Sequence, residues 1–394
     1  MVISAESIKV GRKKLGFTQK EFATKLGISN HYLNQIENKK CQPSISLSKQ
    51  IENYFNRDPT EPELNLIFDY VRIRFPTDNV DRLITEILHL HKEYMLEEDW
   101  GFYGYSSQLV FSHIQILCSM PNSELGTLLE LKGQGCREFE SILLANNLTW
   151  YDFFRDCQKY HAVFKRIDLA INDTVGILNI PELIKKCERN ECISIMRQFE
   201  STNSAKMNTE DEKFIKGNTL YIGSKSSDIY FCIYEKDVEQ YKKVGAVIET
   251  APIKNRFEIR LKNERAFKAI EDLLIYRDVE KTAFGIITRY LQFVDTKKNI
   301  ERNKWPINQR WAYFCGQNRQ PLRLTVAPEP FDLQKTKAWI QKQVAPMLKV
   351  LLKIDGYNGT TDTMTMIKNT KLQKRHLKLL AQQTTGIDEL LHNS

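Results

Sequence analysis

Apolar residues recur with two different periods along the chain, and the period changes near residue 60. Ile8, Leu15, Phe22, Leu26, Leu33, Ile36, Leu47 and Ile51 stand at helical spacings, the pattern of amphipathic helices packed on one another. Thr18 precedes Glu21 by three residues, the reciprocal cap that starts a helix. Gly27 falls where a tight turn must end that helix, and Ser29 or Asn30 caps the next. Residues 4–56 therefore read as a compact helical unit with the order helix, Gly-containing turn, helix. The polar, proline-bearing stretch Asp58-Pro59-Thr60-Glu61-Pro62 closes it.

From residue 66 the period becomes two. Arg72 and Arg74 alternate with Val71 and Ile73, and Glu130 and Lys132 with Leu129 and Leu131. Arg166 and Asp168 alternate with Ile167 and Leu169, Tyr234 and Lys236 with Phe231 and Ile233, and Arg256, Glu258 and Arg260 with Phe257 and Ile259. Each segment predicts a strand with one buried and one polar face. Helical patterns fill 79–96, 137–145, 149–158, 181–199, 236–242 and 264–293, and the tail 332–394 is mostly helical, interrupted near Asp355–Gly359. The predicted class is α+β: an all-α helix-turn-helix domain, a domain with a curved, mostly antiparallel sheet covered by helices on one face, and a helical tail.

Composition narrows the class. The 394 residues, 42% hydrophobic and 27% charged, suit two or three folded domains. No run of 18 apolar residues and no apolar leader appears, so neither membrane insertion nor secretion is expected. Eight cysteines without a C-x-x-C pair predict reduced thiols and a cytoplasmic location. The net charge of +8 divides unevenly: residues 1–57 carry +6, residues 296–394 carry +10, and the centre is left at −8. Basic ends favour a polyanion, and an acidic centre suits a divalent cation.

If the strands share a sheet, their polar faces bring Asp168, Glu258, Tyr234, Lys236, Arg166 and Arg260 together. Two carboxylates from different strands suit Mg²⁺ or Mn²⁺, and a tyrosine beside them is a candidate nucleophile toward a phosphodiester. Lys236 and Arg260 would offset charge on the phosphate oxygens. The same residues also read as a structural tyrosine among cross-strand ion pairs. Trp305, Trp311, Tyr313 and Phe314, set among Arg302, Lys304 and Arg310, read either as a base-stacking surface or as core. Gly217, Gly223 and Ser224 read either as a phosphate approach or as hairpin glycines. Lys371, Lys374, Arg375 and Lys378 read either as a duplex-contacting face or as solvated charge.

The stretch from Thr18 to Ser29, followed by Tyr32-Leu33-Asn34-Gln35-Ile36-Glu37-Asn38, resembles the Cro/C1-type helix-turn-helix family. That resemblance implies duplex binding through Gln19, Asn30, His31 and Asn34; a module for protein contacts is the other reading. Further segments resemble the Rep_trans family of rolling-circle replication initiators and MOB-T relaxases of integrative conjugative elements. They are Glu130–Arg137, Arg166–Asp173, Thr219–Asp228, Ile233–Lys236, Asn255–Arg260 and Trp339–Pro346. The resemblance implies strand-specific nicking and rejoining at an origin through a tyrosine–5′-phosphate link, dependent on a divalent metal. It makes Tyr234 the nucleophile, with Lys236 and Arg260 beside it, and Asp168, Glu258 and Asp173 the metal ligands. Alternation nevertheless points Asp173 to the other face, Glu130 ranks as a weaker ligand, and Asn172 stands where many relatives carry aspartate. The family lacks the paired histidines of the other large nickase superfamily. The implied layout is 1–57 for duplex binding, 66–330 for nicking and 331–394 as a basic helical region. Its partners would be double-stranded origin DNA, single-stranded DNA, a host helicase, a coupling ATPase and a second copy in a homodimer. A relaxase for conjugative transfer is the favoured reading. The alternatives are a plasmid replication initiator, a non-catalytic regulator and a nuclease that uses water.

Overall fold

The computed structural model describes residues 3–392 apart from 57–61, 122, 203–216, 245–247, 249–250, 317–318, 320, 329–336 and 338–339. The expected boundary at 58–61 and Trp339 lie outside the described residues. By packing, the chain divides into a first unit, Met1–Asp69 with Arg166–Thr325, and a second, Tyr70–Lys165 with Val326–Ser394.

Four helices open the chain: α1 (Ala5–Lys14), α2 (Gln19–Leu26), α3 (Asn30–Glu37) and α4 (Ile45–Asn56). Ser4, Thr18 and Ser29 cap the first three through their hydroxyls, Thr18 within the expected capping box. Gly27 ends α2 at φ 65°, in the left-handed region that favours glycine. Ile8, Phe22, Leu26, Leu33, Ile36, Leu47 and Ile51 are buried and Leu15 is half-buried, so the helical period identified most of the core of this module.

Next come β1 (Leu64–Phe75), α5 (Val80–Glu86), β2 (Leu96–Glu98), β3 (Ser107–Phe111), β4 (Ile114–Cys118), β5 (Thr127–Lys132), α6 (Gln134–Ala145) and α7 (Trp150–Lys159). They are followed by β6 (Val163–Asp173), α8 (Ile180–Glu188), β7 (Cys192–Ser194), β8 (Phe199–Thr202), β9 (Thr219–Ile222), β10 (Ile229–Glu235), α9 (Lys236–Val244) and β11 (Asn255–Lys262). The chain continues with α10 (Asn263–Tyr276), α11 (Val279–Tyr290), β12 (Leu291–Phe293), α12 (Gln309–Phe314) and β13 (Arg323–Leu324). Helices α13 (Ala345–Asn358), α14 (Asp362–Asn369), α15 (Lys374–Thr384) and α16 (Ile387–Leu390) form the tail.

Three long helical expectations break. The 79–96 helix stops at Glu86, 181–199 stops at Glu188, and 264–293 becomes two helices. Each break carries a residue in the left-handed region: His89 at φ 53°, Asn190 at φ 59° and Arg277 at φ 48°. None of the three is glycine, and Asn190 alone is a usual left-handed cap residue, so the other two stops carry no strong turn signal.

In the first unit the strand order is β1-β6-β11-β10-β9-β8. Pairing from β6 to β8 is antiparallel throughout, and β13 adds a short parallel pairing to β1. In the second unit the order β2-β3-β4-β5-β1 is antiparallel. The fold is thus the expected α+β class, with mostly antiparallel sheet. On the first unit's apolar sheet face, Phe231 and Phe257 pack 5.3 Å apart between ring centres, and Phe257 meets Trp311 and Phe314 of α12 at 6.2 and 5.6 Å. Covering that face with helices leaves the opposite face for polar chemistry.

Candidate active site

Register alone selects which residues share the polar face. Across β10, β11 and β6, Tyr234 lies opposite Arg256 and Arg256 opposite Asn172; Cys232 faces Glu258, which faces Ala170; Tyr230 faces Arg260, which faces Asp168. Side chains alternate along a strand, so these positions stand on one surface. The five residues Arg166, Asp168, Arg260, Glu258 and Tyr234 form a continuous polar chain there. Arg166 grips Asp168 through Nε and a terminal nitrogen at 2.9 and 2.6 Å. Arg260 donates from Nε and a terminal nitrogen to one Glu258 oxygen at 2.8 and 2.6 Å and lies 3.7 Å from Asp168. The Tyr234 hydroxyl donates to the remaining Glu258 oxygen at 2.8 Å.

Burial sets the protonation of this group. Asp168 and Glu258 are each 3% exposed. Burial pushes the Asp168 carboxyl up to about 6, against the opposing pull of Arg166. It also holds the Tyr234 hydroxyl well above the ordinary tyrosine value, with Arg256 pulling the other way and Glu258 adding to the rise. The Cys232 thiol is pushed up to about 12 by burial and by Glu258, so it stays protonated. Lys236 is shifted down by burial and by Arg256. Its ammonium pairs with Glu239 and lies 5.6 Å from the centre of the Tyr234 ring. Lys236 therefore accompanies the ring at the start of α9, and Arg260 reaches Tyr234 only through Glu258.

Asp173 does not join this group. Strand β6 keeps its alternation to its last residue, which puts Asp173 on the opposite face, fully buried. There it accepts from the backbone N–H groups of Val175, Gly176 and Leu178 and from the Asn255 amide at 2.7 to 3.2 Å. Those four donors saturate the carboxylate and fix the turn after the strand. Glu130 lies in the second unit, accepting from Tyr70, Arg72 and Lys132. One paired-histidine motif does occur in the sequence, His89-Leu90-His91; it also belongs to the second unit. Among the described residues no group of three or more His, Cys, Asp and Glu is placed to hold a metal.

Sequence reasoning missed part of this surface. Arg256 is 5% exposed and bonds Asn172 at 2.8 Å and Asp69 at 2.9 Å. Asp69 comes from β1, 187 residues away in the chain, and no local pattern announces that pairing. Tyr230 lies 3.1 Å from Arg260, a contact the strand alternation could have suggested.

In the helical module, Asn30, His31 and Asn34 are exposed on α3. Gln19 is drawn inward: its amide donates to Glu37 at 2.7 Å and its carbonyl accepts from Asn34 at 3.2 Å. The aromatic group near 311 proves to be core, since Trp311, Tyr313 and Phe314 are 2% exposed or less. Gly223 sits at φ 92° before the β9–β10 turn, the hairpin reading. Lys371, Lys374 and Arg375 are exposed, whereas Lys378 donates to the Met95 carbonyl at 2.7 Å.

Comparison with known proteins gives concordant matches. A family described as Replication initiation factor matches residues 162–367, and one described as Rolling Circle replication initiation protein N-terminal domain matches 65–156. A Helix-turn-helix family matches 8–61. The chain is 41% identical over 323 residues to "Putative DNA relaxase NicK" of Bacillus subtilis (strain 168), covering 82% of this chain and 91% of that protein. Among solved structures, the rolling circle replication initiator protein from Geobacillus stearothermophilus aligns with a TM-score of 0.58 at 27% identity, over 66% of this chain and 98% of that one.

Proposed function

The chain belongs to the replication initiation factor family, DNA-nicking enzymes of the relaxase and rolling-circle initiator kind, and from that premise we propose that Tyr234 is its nucleophile. The observation that carries this is the 2.8 Å hydrogen bond from the Tyr234 hydroxyl to Glu258. A carboxylate at that distance is placed to take the phenolic proton as the oxygen attacks phosphorus. The new bond joins the tyrosine oxygen to the 5′-phosphate and the bond to the 3′-oxygen breaks. That oxygen leaves as a hydroxyl after taking a proton from water. The phosphotyrosine link conserves the bond for rejoining, when the 3′-hydroxyl gives its proton to solvent and attacks phosphorus, and Glu258 returns its proton to the departing tyrosine oxygen. Arg260, already turned toward both carboxylates, is positioned to offset charge on the phosphate oxygens.

Asp168 and Glu258 also suit a hard divalent cation. They supply oxygen donors from adjacent strands, and Mg²⁺ or Mn²⁺ would complete its shell with water and phosphate oxygens. Such an ion would contribute positive charge next to the scissile phosphate. Asp173 is dropped from this set on the geometry above.

The helical module, 1–57, is proposed to bind duplex at the origin through Asn30, His31 and Asn34, with Gln19 holding Asn34 in place. Residues 66–330 would nick, and the basic region 331–394 would support DNA contact. We assign the activity to conjugative transfer, with a host helicase, a coupling ATPase and a homodimeric state as its expected partners. Replication initiation is the second reading, favoured by the solved initiator; both share the nicking step. The test is relaxation of supercoiled plasmids carrying candidate origins with Mg²⁺ or Mn²⁺, followed by denaturing gels. A covalent protein–DNA adduct supports the tyrosine reading, and cleavage without an adduct supports a water nuclease.

A further inference from the structure

The second unit displays an aromatic loop that nicking chemistry does not use. Between β2 and β3 the sequence runs Asp99-Trp100-Gly101-Phe102-Tyr103-Gly104-Tyr105-Ser106. Trp100, Phe102 and Tyr103 remain 52%, 44% and 55% exposed, although large rings usually pack inside. Their arrangement is ordered. Trp100 meets Phe102 edge-on at 5.1 Å between ring centres, and Phe102 meets Tyr103 at 6.3 Å.

The loop is built to hold these rings outward. Tyr105 is buried, its N–H donates to the Phe102 carbonyl at 3.0 Å, and its hydroxyl donates to the Leu125 carbonyl at 3.2 Å. Gly104 takes φ 85°, and a Cβ on Gly101 would come within 2.7 Å of the Tyr105 carbonyl oxygen. Both glycines are therefore required by the turn. Beneath it, the Arg72 guanidinium lies 4.3 Å from the centre of the Tyr103 ring and donates to its hydroxyl at 2.6 Å.

Cations line the adjoining sheet face. Tyr70, Arg72 and Arg74 on β1 stand opposite Lys132, Glu130 and Leu128 on β5. Glu130, the acid of that row, is buried and already accepts from Tyr70, Arg72 and Lys132. Glu97, Glu98 and Asp99 lie on or just after β2, across β3 and β4 from the cationic row. The aromatic loop starts at this acidic end of the sheet, and its Tyr103 reaches Arg72 of the cationic row.

We infer that this surface binds single-stranded DNA, stacking unpaired bases on Trp100, Phe102 and Tyr103 while the backbone follows Arg72, Arg74 and Lys132. Duplex bases are already stacked on one another and cannot insert, so a single strand is the matching ligand. The proposed nicking supplies the source of such a strand, but the binding needs neither Tyr234 nor a metal.

The test measures binding of a fluorescein-labelled oligo-dT strand to the full chain with EDTA present, at one fixed salt concentration because salt alone moves affinity. A strand of abasic phosphodiester of equal length serves as comparison. Trp100→Ala with Tyr103→Ala should weaken oligo-dT binding roughly five- to a hundredfold, from the usual worth of one stacked base. Abasic-strand binding should change little, and Trp100→Phe should retain most of the affinity. Duplex binding by the same variants reports whether they remain folded. Unchanged oligo-dT affinity in the folded double variant, or an equal loss on the abasic strand, overturns the inference. The first outcome would turn this patch toward a protein partner.

Discussion

Replacing Tyr234 with phenylalanine separates chemistry from scaffold more cleanly than any other single change. The substitution removes one oxygen and leaves the ring between its strand neighbours. Glu258 loses one donor of three but keeps both bonds from Arg260, at 2.8 and 2.6 Å. A hydrogen bond to a charged group contributes about 1.5–3 kcal/mol. Removing a desolvated hydroxyl offsets part of that, so the net loss should be about 1 kcal/mol. For a unit of this size that corresponds to roughly 2–4 °C in Tm. Activity should behave differently: without the nucleophile, adduct and relaxation should fall by at least about a thousandfold. Two other tyrosines share the face and could substitute. Tyr230 touches Arg260, which offers no base, and Tyr221 is pushed up to about 12 by burial and by Cys232. Neither is bonded to Glu258 among the contacts that define the site, so neither should rescue nicking. Plasmid relaxation, adduct gels and mapping of the modified peptide form the assay. Relaxation by Tyr234→Phe at the wild-type rate, with the adduct on Tyr221 or Tyr230, would refute the reasoning from the Glu258 contact.

Three further substitutions probe other parts of the argument. Asp173→Asn should destabilise the protein by about 1–3 kcal/mol, because an amide cannot accept from all four donors, yet leave Mn²⁺ affinity by calorimetry unchanged; a loss of metal binding in folded protein would restore Asp173 as a ligand. Gly27→Ala adds a Cβ at φ 65° and within 1.8 Å of Arg310 Cγ, so thermal unfolding should show a loss of at least about 1 kcal/mol, and a neutral result would mean that this contact does not exist in solution. Glu37 has its carboxyl held below the ordinary value: burial opposes this, but hydrogen bonds from Arg12 and Gln19 outweigh it. A lowered acid stabilises the fold above the unfolded pKa, and that contribution disappears as pH falls through the folded one. Wild-type stability should therefore decline below about pH 4.5 more steeply than that of Glu37→Gln, and parallel slopes would count against the Arg12–Glu37 pair as the cause.

What the sequence made legible follows from the range of the interactions involved. Caps and alternation act over a few residues, so Thr18 with Glu21, and Glu258 between Phe257 and Ile259, announced their elements without help from the rest of the chain. Alternation also separated Asp168 from Asp173, and the regular β6–β11 register agrees. Helix ends at His89 and Arg277 were hidden because neither glycine nor asparagine occupies the left-handed turn there, whereas Asn190 is a cap signal that the long helical pattern overrode. The aromatic group at 311–314 could not be assigned from composition, since stacking surfaces and cores draw on the same rings; only its contact with Phe257 decides. The partner of Arg256 was equally out of reach, because Asp69 approaches it from a strand formed 187 residues earlier. That pair has a chemical consequence: with Arg256 engaged by Asp69 and Asn172, its charge is anchored beside Tyr234 and opposes the rise that burial imposes on the hydroxyl. The candidate site is thus two layers, a carboxylate pair readable from local pattern and a cationic support that exists only once distant strands meet. The +8 total describes neither layer, because the cations that matter at Tyr234 are held within the acidic middle of the chain.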